Sequence, residues 1–266
     1  MSILEAALRR DRQVVVGALA LVTLVAWIWL LAGAGMDMGD MGMPEMGAPS
    51  AIAGQMAAPP WNVGYAALMF FMWWTMMLAM MLPSAAPMIL LFAAINRRQR
   101  QRGSPFIPTA VFAVGYLFVW AAFSLGAVAL QWALLRADLL SPMLIGTSAV
   151  LGGVLLLAAG LYQLTPLKHA CLEHCRSPVH FLTGHWRKGV AGALRMGMTH
   201  GVYCVGCCWF LMILLFVGGV MDLRWIIGLA LLVLLEKTVP RGHWLARAAG
   251  VVLLLVGGWR LLEAAI

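Results

Sequence analysis

The sequence predicts an all-α fold, a polytopic bundle of transmembrane helices. Three observations carry this expectation. Of the 266 residues, 63% are hydrophobic and only 11% are charged, whereas about a quarter of a soluble domain is charged. Several uninterrupted apolar runs approach the roughly 20 residues that a helix needs to cross a bilayer. These runs are continuous rather than alternating, which excludes the strand pattern of a membrane β-barrel.

About seven spans are expected, near 13–34, 65–95, 107–135, 141–164, 190–219, 223–236 and 245–262. The first unit, 1–34, joins a basic segment to a membrane anchor. Its apolar run from Val14 to Leu31 exceeds the roughly 7–15 residues of a secretory signal core, so a retained anchor is expected. A methionine-rich loop, 35–64, follows. The remainder, 65–266, reads as one helical membrane domain, interrupted by a Cys/His-rich polar loop at 165–189.

The net charge of +8 would suggest nucleic acid if it were spread over a soluble surface. Its distribution argues otherwise. Of the 18 Lys and Arg residues, 15 fall in alternate inter-span segments; Arg136, Arg224 and Arg260 alone lie on the opposite side. The positive-inside rule therefore places the N-terminus in the cytoplasm and the C-terminus outside. The expected setting is the bacterial inner membrane, with the lipid bilayer as partner and no role in binding nucleic acid.

The loop after the first span, "MDMGDMGMPEMGAPS", has Met36, Met38, Met41, Met43 and Met46 among Asp37, Asp40 and Glu45, with no Lys or Arg. Its Gly and Pro residues oppose a regular helix. Methionine gains little by lying in a solvated loop. A thioether array there suits Cu(I), which thioethers bind without losing a proton. The second span also carries methionine stripes: Met69, Met72, Met76 and Met80 on one line, Met77, Met81 and Met88 on another. At helical spacing, such stripes serve packing more often than ligation. Pro83 and Pro87 flank Ser84 in this span and predict a kinked or broken helix, because proline frees backbone carbonyls. Small residues in the next two spans, Gly126, Gly152, Gly153 and Gly160, allow close helix contact.

"HGVYCVGCC", residues 200–208, places soft side chains inside the fifth span. At 100° per residue, His200, Cys204 and Cys207 share one narrow face, Met196 precedes His200 by four, and Cys208 lies on the flank. A single cysteine in a membrane helix means little, since cysteine packs as a small apolar residue. Three in five residues beside a histidine point to a metal or redox role. The 165–189 loop adds His169, Cys171, His174 and Cys175. Its C-x₃-C spacing is near that of metal sites, yet it lacks the two matched pairs of a zinc signature. Both clusters are expected on the cytoplasmic side. Thiols there are kept reduced, so metal binding or catalysis is expected rather than structural disulfides. Thiolates and thioethers select copper as Cu(I), and zinc fits where imidazoles join. Glu236 and Lys237 read as an ion pair at a helix end, or as a carboxylate and an amine beside the cysteine face.

Two resemblances follow. The 36–46 stretch resembles the Met-rich copper-binding stretches of bacterial periplasmic copper-resistance proteins. "MWWTMMLAMMLPSAAPMILLF", "HACLEHCRSPVHFL", "HGVYCVGCCWFLMILLFVGGVMDLRWI" and "LLEKTVPRGHWLARAAGVVLLLVGGWRL" resemble a bacterial family of predicted metal-binding integral membrane proteins built on a domain of unknown function. The second resemblance spans about 65–262 and implies a helical membrane fold and a metal, with no substrate or reaction.

The expected function is soft-metal handling: transport or delivery of Cu(I), with a metallochaperone or a membrane complex as partner. The alternatives are a metal- or thiol-dependent membrane enzyme, for which Cys204 and Cys207 form a C-x-x-C pair, and an accessory subunit of a membrane complex. Neither a Walker motif nor the phosphorylated-Asp motif of a P-type pump occurs in the sequence.

Overall fold

The computed structural model describes residues 3–34, 61–101, 107–141 and 144–266. Met36, Met38, Met41, Met43 and Met46 lie outside the described residues. The chain forms α1 (Ile3–Leu31), α2 (Val63–Gln101), α3 (Thr109–Arg136), α4 (Ala149–Leu164), α5 (Pro166–Arg176), α6 (Pro178–His185), α7 (Gly189–Ile213), α8 (Leu215–Gly218), α9 (Leu223–Thr238) and α10 (Gly242–Ala265). Among the described residues there is no strand, only an isolated bridge between Leu140 and Gly146. The fold is the expected polytopic helical bundle.

The count of spans differs from the expected seven. Among the described residues, five helices are long and apolar enough to cross a membrane: Arg12–Leu31 within α1, Val63–Gln99 within α2, α3, Gly189–Gly218 over α7 and α8, and α10. A sixth arises if α4 and α5, bent by 64° at their junction, act as one broken span. α9 has 16 residues, about 24 Å at 1.5 Å per residue, against a hydrocarbon core of about 30 Å. It therefore falls short as a full crossing.

The 165–189 segment is not a loop. It folds as α5 and α6, each opened by proline at its first turn. The Thr165 side chain caps α5 by accepting from the Lys168 backbone N–H. Proline suits the first turn because its missing N–H is not needed there. The dipeptides Thr165-Pro166 and Ser177-Pro178 are helix-start signals that the polar composition obscured.

α2 also departs from expectation, running unbroken through Pro83 and Pro87. The Ser84 hydroxyl donates to the Met81 carbonyl at 2.9 Å, and the Tyr116 hydroxyl of α3 reaches the same carbonyl at 3.4 Å. The carbonyls that the prolines free lie four residues earlier, on Ala79 and Pro83, so these side chains add partners to a neighbouring carbonyl.

Glycine decides the closest helix contacts. A Cβ on Gly197 of α7 would collide with the Phe112 carbonyl of α3, and one on Gly115 with the Leu194 carbonyl. These two helices run parallel, residue 112 beside 197 and residue 119 beside 201. α4 packs antiparallel on α10, with Gly153 against Gly257 and Gly160 against Gly250. Of the glycines expected to allow close packing, Gly153 and Gly160 do so. Gly126 has nothing within 4 Å of an added Cβ, and Gly152 meets only a Val217 methyl at 3.5 Å. Both methionine stripes of α2 are buried in the centre of the bundle, which supports the packing reading. α1 and α10 remain at the edge, with Leu21, Leu24, Ile28, Leu255 and Trp259 exposed.

Candidate metal centre

α7 turns its soft face into the bundle. Met196, His200, Cys204, Cys207 and Cys208 are all at most 2% exposed, so the face drawn from helical geometry is an interior one. Cys208, expected on the flank, is as buried as the others.

The sulfur of Cys204 lies at the centre. Lys237 of α9 donates to it at 3.0 Å, and the Tyr116 Oη lies 3.1 Å away. The Cys207 and Cys208 thiols both turn back onto the Cys204 backbone carbonyl, at 3.1 and 3.0 Å. The Cys208 sulfur also approaches the Met81 sulfur at 4.0 Å. Lys237 makes a second contact, to the Ser84 Oγ at 3.3 Å. Cys175 of α5 projects toward Cys204 and Cys207. Cys171, one helical turn earlier, packs its sulfur on Gly206, where a Cβ would lie only 2.9 Å from it. All five cysteines of the chain thus gather around the α5–α7 contact, and all are free thiols.

His200 stands beside this group. Its ring stacks on Tyr116 (centroids 5.5 Å apart) and Phe112 (6.2 Å) and meets the edge of Phe181. Among the described residues neither ring nitrogen has a hydrogen-bond partner. A buried polar atom left unpaired costs about 1–3 kcal/mol, and this imidazole carries one unpaired donor and one unpaired acceptor nitrogen among the described residues.

The other candidates are placed elsewhere. Met196 is buried, but its sulfur accepts from the Arg187 backbone N–H at 3.4 Å. His174 stacks on Tyr203 at 4.1 Å with its Nδ1 on the Ala170 carbonyl. His169 lines a surface cleft with Glu173, Arg176, His243 and Arg247. The two polar clusters therefore meet through their cysteines, not through the histidines of α5.

Glu236 and Lys237 do not pair with each other, contrary to the helix-end reading. The Glu236 carboxylate pairs with Lys168 of α5 at 2.7 Å and accepts from Gln163 of α4 at 2.9 Å, while Lys168 also bonds Gln163. Successive residues of a helix point about 100° apart. Glu236 therefore faces α4 and α5, and Lys237 faces α2 and α7. Tyr116, Ser84, Lys168 and Gln163 were not picked out from the sequence. A lone Tyr or Ser in an apolar run carries no signal there, although ionisable residues in such runs do mark functional interiors.

The donor chemistry suits a soft monovalent ion. Cys204, Cys207, Cys208, Cys175 and Met81 offer sulfur, and His200 offers an imidazole; thiolate and thioether donors select Cu(I). Among the described residues no three His, Cys, Asp or Glu side chains are already disposed as a metal site. The thiols of Cys207 and Cys208 are instead turned onto the Cys204 backbone carbonyl.

Comparison with known proteins adds the family. A model of the PpoB2 family, described as a copper chaperone, matches residues 70–260. No curated protein and no solved structure matches the chain. The match runs from α2 to α10 and takes in every residue of the cysteine cluster. It bears out the metal expected from sequence resemblance, under a copper-chaperone family rather than under the domain of unknown function. The chain belongs to the PpoB2 copper chaperone family.

Proposed function

We propose that the protein binds Cu(I) inside the bilayer and passes it on, by delivery to a partner or by transport across the membrane. The observation that carries this is the buried sulfur cluster around Cys204 with the unpartnered His200 beside it. Cys204, Cys207 and Cys208 hold the ion, and His200 completes its shell. The setting is the bacterial inner membrane, with the basic end of the bundle in the cytoplasm. Met36, Met38, Met41, Met43 and Met46 collect copper on the outer side through exchangeable thioether contacts. His169 and His174 provide secondary donors near α5, and Met196 supports the buried face. Zinc is the competing ion, since imidazole and thiolate also suit it. The receiving partner is a metallochaperone or a membrane complex.

A second reading rests on one feature. Cys204 and Cys207 are a C-x-x-C pair beside an ammonium group, an environment that activates thiols for exchange. It predicts turnover of a disulfide substrate without metal.

Metal analysis of the full chain in detergent, reduced and supplied with Cu(I), tests the main reading. One copper per chain is expected, with zinc measured alongside. Replacing Cys204 and Cys207 by Ser is expected to abolish it, and replacing the five loop methionines by Leu to leave the buried copper in place. An intact protein that retains no stoichiometric copper sinks the reading. If copper binds, flux into sealed vesicles distinguishes transport from delivery.

A further inference from the structure

We propose that Cys171 and Cys175 of α5 form the exchange port of the buried centre, the pair of thiols through which Cu(I) enters and leaves. This rests on the copper-binding reading above. Three features of the structure support it.

The first is graded burial. Cys204, Cys207 and Cys208 are each 1% exposed, so no partner ligand can reach them directly. Cys171 and Cys175 are half-buried and lie between that group and the outside of the bundle. Cys175 faces Cys204 and Cys207, while Cys171 faces Gly206 beside Cys207. The thiols are therefore stepped from half-buried to sealed without a gap in donor type.

The second is spacing. Residues four apart on a helix share a face, and both cysteines use that face against α7. Gly206 lets the Cys171 sulfur approach as closely as it does, since any side chain there would meet it.

The third is the way α5 is fastened. Lys168 near its start is tied to Glu236 and Gln163, and Arg176 at its end donates to the carbonyls of Val239 and Pro240. Both ends are thus anchored to α9 and its C-terminal turn. The helix that carries the port is held at a fixed distance from the centre, as stepwise transfer requires.

The chemistry is ligand exchange. A donor sulfur of the partner forms a bond to Cu(I) as the bond to Cys171 or Cys175 breaks. The proton lost by the incoming thiol is returned to the departing thiolate. Copper stays Cu(I), and no electron is transferred. The partner that fits presents a thiol to the side of α5.

Two measurements on the full chain in detergent test the port. In the wild-type protein, alkylation by maleimide followed by peptide mass spectrometry should modify Cys171 and Cys175 before Cys204, Cys207 and Cys208. Chain alkylated at Cys171 and Cys175 alone has lost both port thiolates and should then take up Cu(I) at least about tenfold more slowly than the unmodified chain. In the second, Cu(I)-loaded protein is mixed with a bulky, water-soluble Cu(I) chelator, and release is followed per bound copper. Changing Cys171 and Cys175 to Ser should slow release at least about tenfold. Release per bound copper at the wild-type rate overturns the proposal. So does uptake by the alkylated chain at the unmodified rate, a result that stands even if the Ser variant does not fold. A wild-type chain that holds no copper is seen earlier, in the metal analysis, and counts against the underlying reading instead.

Discussion

Two neighbouring residues of α9 belong to different polar centres. Glu236 enters a matched network, a carboxylate facing an ammonium and an amide in a region with 1% exposure or less. Lys237, one residue on, donates to a thiol and a hydroxyl, with no carboxylate partner among the described residues. The first centre is electrically complete within the protein. The second carries a cation whose neighbours among the described residues are thiols and a hydroxyl, and it lies beside an imidazole without a hydrogen-bond partner among those residues. A complete network fastens helices together. The other cluster, rich in soft donors, is the one that the proposed copper binding uses.

Substitutions can break or sharpen this contrast. The largest effect is expected in the matched network. Lys168→Met leaves Glu236 charged and buried without a cation, a loss of about 3–5 kcal/mol, read as a fall in thermal stability of the detergent-solubilised chain. Adding Glu236→Leu should recover most of that loss, because a buried ion pair is worth little more than a well-packed apolar pair. A double variant as unstable as Lys168→Met would show that the network does more than neutralise its own charges.

Lys237→Met should cost far less, about 1 kcal/mol, since the group left behind is a thiol that can stay neutral. Its main effect should appear in the copper stoichiometry, which ought to fall while the fold persists. Equal destabilisation by Lys168→Met and Lys237→Met would erase the distinction between the two centres.

His200→Phe should have the smallest effect on stability, within about 1 kcal/mol of the wild type or slightly stabilising. It keeps the aromatic stack with Tyr116 and Phe112 and removes two buried unpaired nitrogens. Copper affinity should drop all the same. A marked loss of stability would mean that the imidazole has a structural partner rather than a ligand role.

Much of this was legible in the sequence. Long apolar runs and the charge distribution required a helical membrane fold, because backbone polar groups in hydrocarbon must be satisfied within the helix. Helical periodicity alone put His200, Cys204 and Cys207 on one face, and the structure buries that face. What was misread has identifiable causes. The polar composition of 165–189 predicts a loop, yet two proline-initiated helix starts prevail there. The expected span near 223–236 folds, but as a 16-residue helix too short for a full crossing. Glu236 and Lys237 were read as a pair because adjacency in sequence was allowed to stand for adjacency in space.

The sequence by itself determined the class of fold, the soft-donor face of α7 and the cysteine spacing of α5, since each depends on local periodicity. Only the tertiary structure decided which donors meet. Cys175 reaches Cys204 because α5 bends away from α4 and is anchored to α9. Lys237 and Tyr116 arrive from helices far away in the chain, positioned by glycine contacts and a buried ion pair. Such long-range placement depends on how whole helices pack, and no local pattern of residues encodes it.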